Sequence, residues 1–165
     1  MDTNYHDIKV DDLRNGEGLR VVLFVSGCEH RCKFCHNPQT WNINSGTPFD
    51  DSAKQIVFEY LNRDYIAGIT LSGGDPLYPY NVHTMTEFTK EIKATYPNKT
   101  IWLYTGYEYE VVQHREIMKY IDVLVDGKFV QQLADVNYKW AGSKNQRVID
   151  IKESQKQNRV ILLKS

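Results

Sequence analysis

The chain is 165 residues long, with a net charge of −1, 41% hydrophobic residues and 25% charged ones. That composition fits one globular domain over residues 1–165, with enough chain to bury a core without staples. The near-neutral balance leaves no electrostatic footprint for nucleic acid or an anionic membrane, and no apolar run approaches the ~20 residues that span a bilayer.

The first stretch, MDTNYHDIKVDDLRNGEG, is polar and acidic and lacks the apolar centre of a signal peptide, so a reducing, cytoplasmic location is expected. Next, RVVLFVSG (20–27) is a short apolar run that reads as a strand buried on both faces. A cysteine-rich loop follows at once. Past it, Asp50 and Asp51 are candidate caps for a helix whose apolar face is Ala53, Ile56, Val57, Tyr60 and Leu61.

AGITLSG (67–73) predicts a second strand, and the pattern Val82, Met85, Phe88, Ile92 predicts a helix that begins at Pro79 and stops at Tyr96-Pro97. TIWLYTG (100–106) predicts a third strand, residues 108–119 a shorter helix, and DVLVDG (122–127) a fourth strand. RVIDI (147–151) and RVILL (159–163) are late strands that close the sheet.

Strand–helix alternation implies right-handed βαβ units and an α/β fold. A complete eight-unit barrel takes about 250 residues, so this chain supplies only about four to six units. The expected architecture is an open, partial (β/α) barrel with a mostly parallel sheet. Its chemistry belongs outside the carboxyl ends of the strands. Four runs end there in a small polar residue and glycine: Ser26-Gly27, Ser72-Gly73, Thr105-Gly106 and Asp126-Gly127. Glycine at that edge lets backbone approach a ligand closely, although strand-to-helix turns also need it.

The loop SGCEHRCKFCHNPQTW (26–41) contains Cys28, Cys32 and Cys35, the only 3 cysteines of the chain. In a reducing compartment clustered thiols read as metal-binding or catalytic. Soft thiolates suit iron–sulfur clusters or zinc. Cubane clusters generally take four cysteines, so three would leave one iron open. The rival is a structural zinc with His30 or His36 as fourth ligand. Placement at the active edge of the sheet argues against a merely structural metal.

Cys28-x-x-x-Cys32-x-Phe34-Cys35, with its aromatic before the third cysteine, resembles the signature of radical S-adenosylmethionine (SAM) enzymes. NGEGLRVVLFVSGC, CHNPQTWNINSGTPF, LSGGDPLYPYNV, IWLYTGYEYE, VLVDGKFV and GSKNQRVID extend the likeness over residues 15–150, toward the activases of anaerobic ribonucleotide reductases. The resemblance implies a truncated radical SAM fold, and a [4Fe-4S] cluster held by Cys28, Cys32 and Cys35 with SAM chelating the fourth iron. It implies no catalytic residue beyond cluster and SAM. Phe34 and the backbone of Cys35 and His36 would lie against the adenine. Gly73, Gly74 and Asp75 match the family's Gly-Gly-Glu block, with Asp in place of Glu, and would bind the SAM amino group; alone, these residues read as a turn.

Thr105, Asp126, Lys128, Ser143 and Asn145 are further candidate SAM contacts, equally readable as solvated turn residues. Lys128 would pair with the SAM carboxylate as a point charge. The implied reaction is reductive SAM cleavage and hydrogen abstraction from a glycine of the large reductase subunit, in its C-terminal glycine loop, with an electron donor such as a flavodoxin. The Cys35-His36-Asn37 sequence is shared with pyruvate formate-lyase-type activases, which are longer and have Glu where Asp75 stands. A zinc-binding interaction module is the third reading. His6, His83, His114, Trp41, Trp102 and Trp140 read as surface, packing or core residues.

Overall fold

The computed structural model describes residues 3–164. Its elements are β1 (Asn4–Asp12), β2 (Arg20–Val25), β3 (Thr47–Pro48), α1 (Asp51–Leu61), β4 (Gly68–Gly73), α2 (Val82–Thr95), β5 (Thr100–Tyr104), α3 (Tyr109–Val112), β6 (Val123–Asp126), β7 (Arg147–Asp150) and α4 (Ile151–Gln157), with short 3₁₀ turns between. The strands form a seven-stranded mixed sheet ordered β3-β1-β2-β4-β5-β6-β7. The centre, β2-β4-β5-β6, pairs parallel, while β1, β3 and β7 pair antiparallel at the two edges.

Alternation along the strands sorts side chains onto two faces. Val21, Leu23 and Val25 of β2, Ile69 and Leu71 of β4, and Ile101 and Leu103 of β5 enter the main core with Val57, Met85, Phe88 and Ile92 from α1 and α2. The other face is smaller. There Trp102, Val123, Val125 and Val148 pack with Tyr104, Trp140 and Leu163. The long excursion between β6 and β7 therefore covers that face. No helix among the described residues is long and apolar enough to cross a membrane.

The four apolar runs are strands as expected, three ending just before the glycine and β4 ending on Gly73 itself. Five local details differ from the sequence reading. The polar N-terminal stretch contains β1, which pairs with β2 through Ile8–Leu23 and Lys9–Val22. Its burial alternates between half-buried and exposed, as an antiparallel strand with one solvated face allows. The strand at 147–151 stops at Asp150, whose side chain accepts a hydrogen bond from Glu153 N and caps α4 instead.

The segment 159–163 makes only a bridge, Ile149–Leu162, with Asp150 N donating to Ile161 O at 2.9 Å and Leu163 N donating to Val148 O at 2.8 Å. Helix α2 starts at Val82, because residues 75–81 are taken up by turns in which Asp75 O and Tyr78 O accept N–H bonds from Tyr78 and Asn81. Residues 108–119 split into α3 and a 3₁₀ turn at Glu116–Lys119, separated where Arg115 reaches across to Leu77 O at 3.0 Å.

Candidate functional site

The cysteine loop leaves β2 at the carboxyl edge of the parallel strands and is tied back on itself. Gly27 N donates to Thr40 O at 2.6 Å and Cys28 N to Trp41 O at 3.1 Å. Inside the loop, Arg31 (φ 49°) and Phe34 (φ 61°) adopt left-handed backbone. All three cysteines are free and half-buried, and all three line one cleft of about 110 Å³.

Burial pushes the Cys28 thiol up to about 11, while the backbone N–H groups of His30 and Arg31 pull the other way. Burial also raises Cys32, against the backbone N–H of Phe129. Asn37 N donates to Cys35 Sγ at 3.4 Å. The Asn37 N–H contact is of the kind that stabilises a metal-bound cysteinate. Trp41 lines the same cleft, and its buried indole N–H has no hydrogen-bond partner among the described residues.

The opposite wall is the end of β4 and β5. Gly74 N donates to Val25 O at 2.9 Å and Asp75 N to Gly27 O at 2.7 Å, continuing the β2–β4 ladder past the strands. Gly73 has φ +113°, and a Cβ there would collide with the backbone of Val25. The tight approach here is to a neighbouring strand. Asp75, 1% exposed, accepts from Leu77 N at 2.9 Å, from Thr105 Oγ1 at 2.9 Å to both oxygens, from Gly106 N at 2.9 Å and from His30 Nε2 at 2.7 Å. The four-odd acceptor positions of a carboxylate are thereby filled.

Two larger clefts adjoin the cysteines. One of about 870 Å³ shares His30, Gly106, Gly127 and Lys128 with the cysteine cleft. It also contains Asn145 and a bridge in which Arg147 binds Asp126 at 2.6 Å and Glu110 at 2.6 Å. Arg147 lowers the Glu110 carboxyl below its usual range by hydrogen bonding, and its own guanidinium is raised in return, chiefly by Asp126. The other cleft, about 630 Å³, contains Cys35, His36, Phe129, Tyr138 and Trp140. His36 and Phe129 stack with centroids 4.8 Å apart.

The sequence-derived candidates therefore separate. Cys28, Cys32, Cys35, Gly73, Gly74, Asp75, Thr105 and Lys128 line the cysteine cleft together, and His36 and Asn145 line the adjoining clefts. Thr105 turns its hydroxyl to Asp75. Asp126, 1% exposed, is held by Arg147 and by Tyr109 N at 2.8 Å. Ser143 is fully buried and its Oγ accepts from Val130 N at 3.1 Å. Phe34 is 64% exposed, with Lys33 5.5 Å over its ring, and lines none of the three clefts. Sequence reasoning passed over Arg147, Trp41 and Tyr107, and it set His30 aside. Position between two cysteines was the one signal available for His30.

Comparison with known proteins gives a consistent picture. A family model described as "4Fe-4S single cluster domain" matches residues 14–149. The anaerobic ribonucleoside-triphosphate reductase-activating protein of enterobacteria phage T4 is 44% identical over 145 residues, covering 88% of this chain and 92% of that protein. Proteins of the same name from Haemophilus influenzae and Escherichia coli are 46% identical over 147 residues (87% of this chain, 95% of theirs) and 45% identical over 149 residues (88% and 97%).

Proposed function

The chain belongs to the family of anaerobic ribonucleoside-triphosphate reductase-activating proteins and carries their 4Fe-4S single cluster domain, and from that membership we infer that it installs a glycyl radical on an anaerobic ribonucleotide reductase. The observation that carries the reading is the convergence of Cys28, Cys32 and Cys35 on one cleft at the carboxyl edge of the sheet. A [4Fe-4S] cluster held there would supply one electron to SAM, and the pair would provide the radical chemistry that removes a hydrogen atom from a glycine Cα of the reductase.

The chain's own part is to hold, orient and shield. Cys28, Cys32 and Cys35 would hold the cluster, with SAM bound beside it in the same cleft. Gly73 and Gly74 present backbone to the amino group, and Lys128 and Asn145 line the polar cleft beside it. Asp75, Thr105, Asp126 and Ser143 are assigned to shaping these walls, because their oxygens already serve internal hydrogen bonds. His36, stacked on Phe129, and the loop around Phe34 and Cys35 flank the adenine side. The sheet is read as an open partial barrel of about four to six units, a truncated radical SAM fold acting as one domain. A flavodoxin-type donor and a reducing, cytoplasmic setting complete the proposal, since the thiols must stay reduced.

The test is anaerobic reconstitution followed by addition of SAM, reductant and the cognate reductase, with EPR detection of a glycyl radical. SAM cleavage with no radical on the reductase would remove the activase assignment. Cys32→Ala is expected to lose the cluster spectrum and all activation while keeping its far-UV circular dichroism. Retained activity in that variant would overturn the ligand assignment.

A further inference from the structure

His30 sits between Cys28 and Cys32, yet its side chain leaves the cysteine loop and enters the opposite wall. Its ring is 5% exposed, and Nε2 lies 2.7 Å from Asp75 Oδ2, itself 1% exposed. A carboxylate only accepts, so Nε2 carries the hydrogen of this bond. The ring packs edge-on against Tyr107 with centroids 4.4 Å apart. It also occupies the space beside Gly106 that a Cβ would fill. Tyr107 in turn hydrogen-bonds Glu29, the residue that directly follows the loop's first cysteine. Two consecutive residues of the loop, Glu29 and His30, are thereby fastened to the end of β5, and Asp75 fastens the same ring to the end of β4.

The anchor bears directly on the ligand loop, because Cys28 lies two residues before His30 and Cys32 two residues after it. Cys28, His30 and Asp75 have ligand-capable atoms within 4.8 Å of one another. With Nε2 committed to Asp75, the histidine acts through position. His30 also borders both the cysteine cleft and the 870 Å³ cleft, so its ring forms part of the partition between them.

We propose that His30, locked by Asp75, Tyr107 and the missing side chain of Gly106, is a positioning residue that fixes the cysteine loop against β4 and β5 and so sets how tightly the cluster is held and how far solvent reaches it. This rests on the cluster reading above. Groups one shell outside a metal typically change its affinity 10- to 100-fold when removed, and solvent exposure tunes the potential.

The test compares wild type, His30→Ala and His30→Gln as full-length, anaerobically reconstituted proteins. Three properties are read: iron loss to a ferrous chelator, the EPR spectrum of the reduced cluster, and its midpoint potential. His30→Ala is expected to release iron about 10-fold faster, with shifted g values and potential. His30→Gln places an amide N–H near the position of Nε2 and is expected to restore most of both properties. Unchanged iron release, spectrum and potential in His30→Ala overturn the positioning role. So does a His30→Gln protein that keeps its circular dichroism yet behaves as the alanine variant. A wild type that binds no iron or sulfide overturns the cluster reading itself, and is recognised before any variant is compared.

Discussion

Arg147 holds two carboxylates of the large cleft in one place, Asp126 buried and Glu110 about half exposed. The strand ending that contains Asp126 was visible in the sequence as a short apolar run closed by Asp-Gly. Its partner, 21 residues further on, was not visible, because pairing across β6 and β7 depends on the antiparallel return that brings Arg147 opposite Asp126. Glu110 has its carboxyl held below the usual range by this arginine. A carboxyl lowered in the folded state adds stability above its unfolded value and loses it as the pH falls through the lowered one. The stability difference between wild type and Glu110→Gln in urea unfolding is therefore expected at pH 7 and should shrink below about pH 4. It will be small, since the pair is solvent-screened. A difference that stays constant down to pH 3 would contradict the assignment.

At the scale of elements, the sequence read well where a segment satisfied its own requirements. Helix α1 starts at Asp51 because Asp50 accepts from Ala53 N at 3.0 Å, and its buried face is Ala53, Val57 and Leu61. Asp50→Ala is expected to cost about 1 kcal/mol, measured as a shift of the urea midpoint with the slope unchanged. A change under a few tenths would mean the cap contributes nothing. Elements were misread where a neighbour supplied what the local pattern lacked. Strand β1 has too few apolar residues to announce itself and is completed by hydrogen bonds to β2. In α4 only Ile151 and Ser154 are buried, so its pattern is faint, and the Asp150 cap settles its start. The RVILL segment has a strand's composition but meets β7 at a single bridge.

Across the whole molecule, the two ends of the parallel strands divide stability from chemistry. The cysteine loop follows β2 at one end. At the other, Arg20 is fully buried on the smaller face, and its guanidinium donates to Thr70 Oγ1, Thr100 Oγ1, Glu17 O, Ile69 O and Thr100 O at 2.8–2.9 Å. Its ring neighbour is Trp102, 5.5 Å away. Burial lowers its pKa to about 10, so the charge persists at neutral pH, supported by oxygens from β4, β5 and the chain before β2. Arg20→Met strips the donors and should destabilise by about 3 kcal/mol. Because the change lies at the far end of the strands, the reconstituted cluster's EPR spectrum should stay as in wild type. A loss of less than about 1 kcal/mol would show that the network is dispensable.

Neighbouring residues suffice to specify the parallel centre of the sheet, the two main helices and a three-cysteine loop at the carboxyl edge. Each is written locally, as apolar runs, helical spacing and thiol spacing. Which candidate polar groups face open space depends instead on contacts between elements. Asp75, Thr105, Asp126 and Ser143 look alike in sequence as small polar residues at strand ends or turns, but their oxygens are taken up by partners from other elements. His30 offered a ligand's spacing and was turned away from that use by a carboxylate 45 residues distant in the chain. A side chain's availability depends on what the fold brings within hydrogen-bonding distance, and local pattern does not encode that.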